Sequence, residues 1–185
     1  ILLDSSIEFS IRQLAGVLFK QYVETHWSQN SEKYEDPEID SQIKQRIRQI
    51  LPIGLSDESS KIRTSVAYTV AKIGGWDWPD TWPELFDSLL SGLNGKKIGQ
   101  PIIADGVGQF NMNSVHGALD TLVELVPEIT DLQMPRVSPI LLPELYKIFI
   151  DAQNYSIPLR RTTLEIFITI VNVIADMSDY DAVKI

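Results

Sequence analysis

Apolar residues recur every three or four positions along nearly the whole chain. This spacing places the apolar side chains of a stretch on one face of an α-helix. No stretch alternates strictly between apolar and polar residues, so no β-strand is predicted. The first stripe, with Ile11, Leu14 and Leu18, is expected to face the core like the others. The seven predicted helices cover residues 7–22, 39–51, 62–73, 82–93, 115–126, 137–149 and 159–174.

Four of these stretches resemble one another. They are IRQLAGVLFK from Ile11, IRTSVAYTVAKI from Ile62, SVHGALDTLVEL from Ser114 and LRRTTLEIFITI from Leu159, and they lie about 45 to 50 residues apart. That is the period of a HEAT-type helix pair lengthened by loops. The small residues in each stretch allow neighbouring first helices to approach closely.

The predicted fold is therefore an all-α solenoid of antiparallel HEAT-type helix pairs, because stacked pairs bury one continuous core. We expect a single array that belongs to a longer solenoid. The pairs cover about residues 7–55, 60–93 and 113–152, and residues 157–176 form the first helix of a further pair. Asp36, Pro37 and Glu38 have the order of an N-cap, a first-turn proline and a first-turn acid, so a helix start is predicted there.

Two segments interrupt the helical pattern. The glycine-rich stretch 94–113, NGKKIGQPIIADGVGQFNMN, is long for a loop without structure, and we expect it to be mobile. The second, GGWDWPDTWPELF from Gly74 to Phe86, must turn the chain between two helices. Its tryptophans Trp76, Trp78 and Trp82 suit packing over the open end of a helix pair. An aromatic cage for a cationic ligand is the alternative.

Composition narrows the function classes. The chain of 185 residues carries a net charge of -9, no cysteine and no basic stripe of the kind that binds nucleic acid. Its longest apolar stretch is too short to span a membrane. The two histidines, His26 and His116, lie in different repeats without metal-ligand spacing, and no phosphate-binding loop is present. The sequence indicates no enzyme, no metal and no cofactor.

The remaining candidate surface is the polar side of the second helices, which line the concave wall in HEAT solenoids. Concave walls of solenoids are common binding surfaces. An ordinary solvated face is the alternative for individual positions. The predicted protein-binding strip consists of Gln45, Arg48, Gln49, Asp80, Glu84, Asp87 and Ser88.

Several stretches resemble one known family. DWPDTWPELF resembles the Trp-Pro helix start in the third repeat region of importin-β (karyopherin-β) nuclear transport receptors, and IRQLAGVLFKQYVETHW resembles the family stretch before it. NSVHGALDTLVEL and LQMPRVSPILLPELYKIF resemble the importin nine type. The ordered combination spans about Ile11 to Ile170, and the glycine-rich loop departs from the family pattern.

The resemblance implies a receptor that shuttles between cytoplasm and nucleus through the nuclear pore. It implies binding of basic cargo, including histones, and of the small GTPase Ran in its GTP form, with contacts to nuclear pore proteins through the full-length receptor. The strip residues would then meet Ran or cargo. The alternative function is a structural HEAT scaffold in a phosphatase or a chromosome-associated complex.

Overall fold

The structure is a computed structural model that describes residues 1–98 and 110–182, with side chains described up to residue 175. All seven predicted helices are confirmed, and the described residues form no strand. The helices are α1 (Phe9–His26), α2 (Ser41–Ile50), α3 (Ser60–Asp77), α4 (Leu85–Leu93), α5 (Met112–Leu125), α6 (Met134–Ile150) and α7 (Ile157–Ala182). Short 3₁₀ segments, Leu51–Ser56 and Val126–Glu128, follow α2 and α5.

The chain divides into two compact units, Ile1–Thr121 and Leu122–Ile185. In the first unit, α3 packs against α1 and against the 3₁₀ segment Leu51–Ser56. In the second unit, α6 packs against α7. The assignment of residues 7–55, 60–93, 113–152 and 157–176 to successive repeats of one array stays a prediction.

Helix α1 packs through a different face from the predicted one. Ile11, Leu14 and Leu18 are about half exposed, at 50%, 59% and 56%. The buried positions of the helix are Arg12, Gly16 and Val23. Periodicity identifies an apolar stripe, but it does not identify the partner of that stripe.

Two contacts explain why the face of α1 with Arg12 and Gly16 packs inside the first unit. Gly16 lies so close to α3 that an added Cβ would be 2.7 Å from Oγ of Ser65. Arg12 donates to the Asp57 carboxylate and, through Nε, to the Leu2 carbonyl at 2.9 Å. The expectation that small residues let neighbouring first helices approach closely is thus confirmed at Gly16.

The predicted helix start at Asp36, Pro37 and Glu38 is wrong. Helix α2 begins at Ser41, where the Asp40 side chain accepts a hydrogen bond from the Gln42 amide at 2.8 Å. A side-chain oxygen that satisfies a free amide of the first turn stabilises that residue as the N-cap. Glu38 instead pairs with Lys44, and this contact lowers the pKa of the Glu38 carboxyl.

Most of the predicted mobile loop, residues 99–109, lies outside the described residues. Its two described ends are tied together, because the Asn111 amide donates to the Gly95 carbonyl at 2.7 Å. Gly95 has a φ of +70°, a left-handed conformation that suits glycine after the end of a helix. Ile98 is buried, and an added Cβ on Gly92 would be 2.7 Å from its Cδ1. The N-terminal described end of the segment therefore contributes Ile98 to the core of the first unit.

A partly buried polar cluster joins α3 to α5. Thr64 donates to the Asp120 carboxylate at 3.3 Å, and the Arg63 guanidinium donates to the Asp57 carbonyl at 2.8 Å. Burial raises the pKa of Asp120, against the effect of the Thr64 hydrogen bond and the charges of His116 and Arg63. Burial, assisted by the Arg63 charge, lowers the pKa of His116, whereas Asp120 acts in the opposite direction.

The lowered pKa of His116 predicts a stability loss on mild acidification. As the pH is lowered, His116 in the unfolded chain is protonated near the ordinary histidine pKa of about 6.5. His116 in the folded chain is protonated only at a lower pH. The free energy of unfolding is therefore highest, as far as His116 is concerned, above that pH. It declines as the pH falls toward the pKa of His116 in the folded chain. His116→Asn should flatten urea-unfolding stability measured between pH 8 and pH 5.5. His26→Asn, which keeps His116, should retain the loss, and an unchanged pH dependence in His116→Asn would contradict the prediction.

Candidate protein-binding groove

Helix α2 forms one wall of a groove in the first unit. None of its residues is buried, so its side chains remain accessible along the whole helix. Gln45 and Gln49 are exposed and stand one turn apart. Arg48, between them, is partly covered because it binds Asp77.

Asp77 fixes the tryptophan corner in place. One of its carboxylate oxygens accepts from Nε1 of Trp27 at 3.1 Å and from the Arg48 guanidinium at 2.6 Å. Its backbone carbonyl accepts from the amides of Thr81 and Trp82 at 2.8 and 3.1 Å. A single residue therefore ties the end of α3 to α1, to α2 and to the turn that precedes α4.

Two tryptophans of the corner, Trp78 and Trp82, act mainly in packing. Trp82 is only 4% exposed and leads into the buried stripe of α4, which contains Leu85, Phe86 and Leu89. Trp78 meets the Phe86 ring edge-on, with centroids 4.8 Å apart. An aromatic cage requires open ring faces, and Trp82 offers almost none. The packing interpretation of Trp82 is therefore confirmed.

The corner and α4 form the opposite wall of the groove. The groove, which is open to solvent, has a volume of about 330 Å³. Pro52, Trp82, Pro83 and Ile98 supply the apolar part of the lining. The polar part consists of Gln45, Arg48, Gln49, Thr81, Glu84 and Ser88.

The structure brings five of the seven predicted strip residues to this groove. These are Gln45, Arg48, Gln49, Glu84 and Ser88. Asp80 and Asp87 are exposed but do not line it. Of the five, Arg48 is already engaged with Asp77, whereas no side-chain hydrogen bond or ion pair within the described residues involves Gln45, Gln49, Glu84 or Ser88.

Sequence reasoning missed several lining residues that lie outside regular α-helices. Pro52 belongs to a 3₁₀ segment, Thr81 to the corner and Ile98 to the start of the glycine-rich stretch. Helical periodicity predicts the direction of a side chain only within a helix, so it says nothing about these positions. One feature of the sequence could have indicated that Ile98 is buried. It is a large apolar residue that directly follows two lysines, and such residues are usually buried.

Two other kinds of site are not found among the described residues. Among them, no three His, Cys, Asp or Glu side chains are arranged to hold a metal ion. No helix in this part of the chain has the length and apolar character needed to cross a membrane. The described residues form helices and no strand, which defines an all-α protein.

Comparison with solved structures supports this class. The fold is similar to that of Lph2, a bidirectional nuclear transport receptor of S. cerevisiae, with a TM-score of 0.70 and 22% identity. The match covers 92% of this chain and 17% of that chain. At this identity the likeness concerns the fold alone. It agrees with the predicted all-α solenoid of HEAT-type helix pairs.

Sequence comparisons give the family. Residues 1–57 match the model of the importin-β N-terminal domain. The chain is 36% identical to Importin-9 of Drosophila melanogaster over 169 residues, which are 90% of this chain and 15% of that protein. It is 29% identical to Importin subunit beta-5 of Schizosaccharomyces pombe over 152 residues, 80% of this chain and 14% of that protein. The chain belongs to the importin-β family of nuclear transport receptors and is of the importin nine type.

Proposed function

We propose that this chain is part of a nuclear import receptor that binds Ran in its GTP form and contributes to binding basic cargo such as histones. The observation that carries the proposal is the 36% identity to Importin-9 over 90% of the chain. The chain spans only about 15% of the length of the relatives that it matches. Cargo, passage through the nuclear pore and contacts with pore proteins are therefore proposed for the whole receptor.

The proposed organisation is a single array of helix pairs at about residues 7–55, 60–93 and 113–152, continued by a further pair from residue 157. The proposed binding surface is the strip that includes Gln45, Arg48, Gln49, Glu84 and Ser88 on the groove, with Asp80 and Asp87 beside it. Its exposed carboxylates favour basic partners. The proposed location follows from the function, and it is shuttling between cytoplasm and nucleus.

A pull-down with Ran tests the proposal. The immobilised chain should retain Ran locked in its GTP form and should release it when Ran carries GDP. A histone dimer is tested in a separate arm, because a basic cargo and Ran need not use the same residues. Failure to retain either protein would favour a structural HEAT scaffold over a transport receptor.

Charge reversal beside the groove should weaken binding of basic cargo. We expect Glu84→Lys with Asp87→Lys to lower histone-dimer affinity by about tenfold, equivalent to about 1.4 kcal/mol of binding free energy. Both residues are exposed, so the melting temperature should move little. The difference should shrink as salt rises, since the Debye length at physiological ionic strength is about 8 Å. Fluorescence titration measures the affinity.

Glu32→Lys with Glu58→Lys provides the matched control. Both residues are exposed in the first unit, neither lines the groove, and the change in net charge is the same. Equal weakening by the two double variants would mean that net charge acts without a local site. An unchanged affinity of the Glu84 and Asp87 variant for both histone and Ran would remove this surface from the proposal.

A further inference from the structure

Two glutamines of the groove have unused hydrogen-bonding capacity. Within the described residues, no hydrogen bond involves the side chain of Gln45 or Gln49. Of their charged neighbours on α2, Arg48 binds Asp77 and Lys44 binds Glu38, whereas Arg46 is exposed and does not line the groove. A primary amide carries both a donor and an acceptor, which is the combination that a peptide group requires.

The spacing of the two glutamines suits an extended main chain. Positions i and i+4 of an α-helix are separated by about 6 Å along the axis. Alternate residues of an extended strand are separated by about 6.6 Å. Gln45 and Gln49 can therefore each contact a peptide group on the same edge of one extended segment.

The opposite wall selects the side chains of such a segment. Glu84 carries the one charge on the lining that no described residue neutralises, because the charge of Arg48 is paired with Asp77. Pro83, which is exposed and directly precedes Glu84, offers apolar surface on the same wall. Lysine and arginine combine an aliphatic stem with a cationic head, so they match apolar surface next to a carboxylate. An acidic segment would meet Glu84, Asp80 and Asp87 unfavourably.

The size of the groove limits the length of its occupant. A space of about 330 Å³ lies at the small end of the range for pockets that enclose a compact ligand. Its interior has room for a few residues of a polypeptide but not for a whole folded domain. A folded partner would have to insert an extended tail or loop.

We propose that this groove holds a short extended segment of a basic partner polypeptide, with Gln45 and Gln49 bonded to its main chain and Glu84 to a lysine or arginine side chain. The proposal rests on the proposed function and specifies which part of a basic cargo enters the groove. It differs from general charge attraction, because it requires main-chain recognition.

The test uses the 185-residue chain and a fluorescent nine-residue peptide of alternating lysine and serine. Gln45→Ala with Gln49→Ala should weaken binding in an anisotropy titration by about tenfold, as expected for the loss of two neutral hydrogen bonds. Glu84→Gln should weaken binding several-fold at low salt and less at high salt. Gln42→Ala, an exposed glutamine of α2 outside the groove, should bind as the original chain does.

A second peptide separates main-chain recognition from charge. N-methylation of alternate peptide groups removes main-chain donors and keeps every lysine. This peptide should bind the original chain weakly, and the two alanine substitutions should cause little further loss. Equal binding of both peptides, insensitivity to the Gln45 and Gln49 substitutions, or no binding of the lysine peptide would each overturn the inference.

The same variants are tested with Ran-GTP and the histone dimer. If the original chain binds the dimer but the glutamine substitutions change neither dimer nor peptide binding, the groove inference fails and the proposed function stands. If the original chain binds neither Ran nor the dimer but binds the peptide through Gln45 and Gln49, the proposed function fails and the groove remains a peptide site.

Discussion

Trp82→Ala is expected to lower the free energy of unfolding of the first unit by about 3–5 kcal/mol, the range for truncation of buried aromatic residues. Trp82 is 4% exposed and continues into the buried stripe of Leu85, Phe86 and Leu89. Its amide also donates to the Asp77 carbonyl at 3.1 Å, so the side chain and the backbone turn are held by the same corner. Urea unfolding followed by circular dichroism at 222 nm measures the loss.

Trp82→Phe serves as the control, because it retains an aromatic ring and should cost less than the alanine substitution. Trp82 also lines the groove, so peptide affinity is measured on both variants. A melting temperature unchanged by Trp82→Ala, together with lost binding, would support the aromatic cage instead. Loss of stability in proportion to the volume removed is the result that packing requires.

The sequence predicted the helices well because each carries a complete apolar period. It predicted the contacts of α1 poorly, since the stripe of Ile11, Leu14 and Leu18 is half exposed. The face that packs on α3 contains Arg12 and Gly16, which a hydrophobic pattern scores as breaks. Arg12 is buried through its pairing with Asp57, a residue 45 positions away. Such a long-range ion pair leaves no local trace in the sequence.

The candidate site could likewise be predicted from the sequence only in part. Polar faces of α2 and α4 follow from periodicity, and three residues predicted from them, Gln45, Gln49 and Ser88, line the groove. Asp80 and Glu84 lie in or next to the tryptophan corner, where direction depends on the hydrogen bonds to Asp77. Glu84 lines the groove and Asp80 does not, although both were predicted from the same polar pattern. The conformation of the irregular turn determines which of the two side chains reaches the groove, and the polar pattern does not reveal that conformation.

The second large loss of stability is expected where the backbones of Gly117 and Leu55 approach each other closely. Gly117 of α5 lies against the 3₁₀ segment, and an added Cβ would overlap the Leu55 carbonyl group, only 2.8 Å from its carbon. Leu55 is fully buried, so its backbone cannot easily move aside. The clash should outweigh the gain of up to about 1 kcal/mol that alanine has over glycine in a helix.

We expect Gly117→Ala to destabilise the first unit by about 2–3 kcal/mol net, as an overpacked core position does. Gly75→Ala is the matched control, because Gly75 is exposed in helix α3 and does not have a positive φ. That variant should be neutral or slightly stabilising. Gly16→Ala should fall between the two, since its Cβ would meet the Ser65 hydroxyl, which can rotate away. Equal unfolding midpoints for Gly117→Ala and Gly75→Ala in urea would show that α5 can move away from Leu55. The close contact at Gly117 would then contribute little to the position of α5 in the first unit.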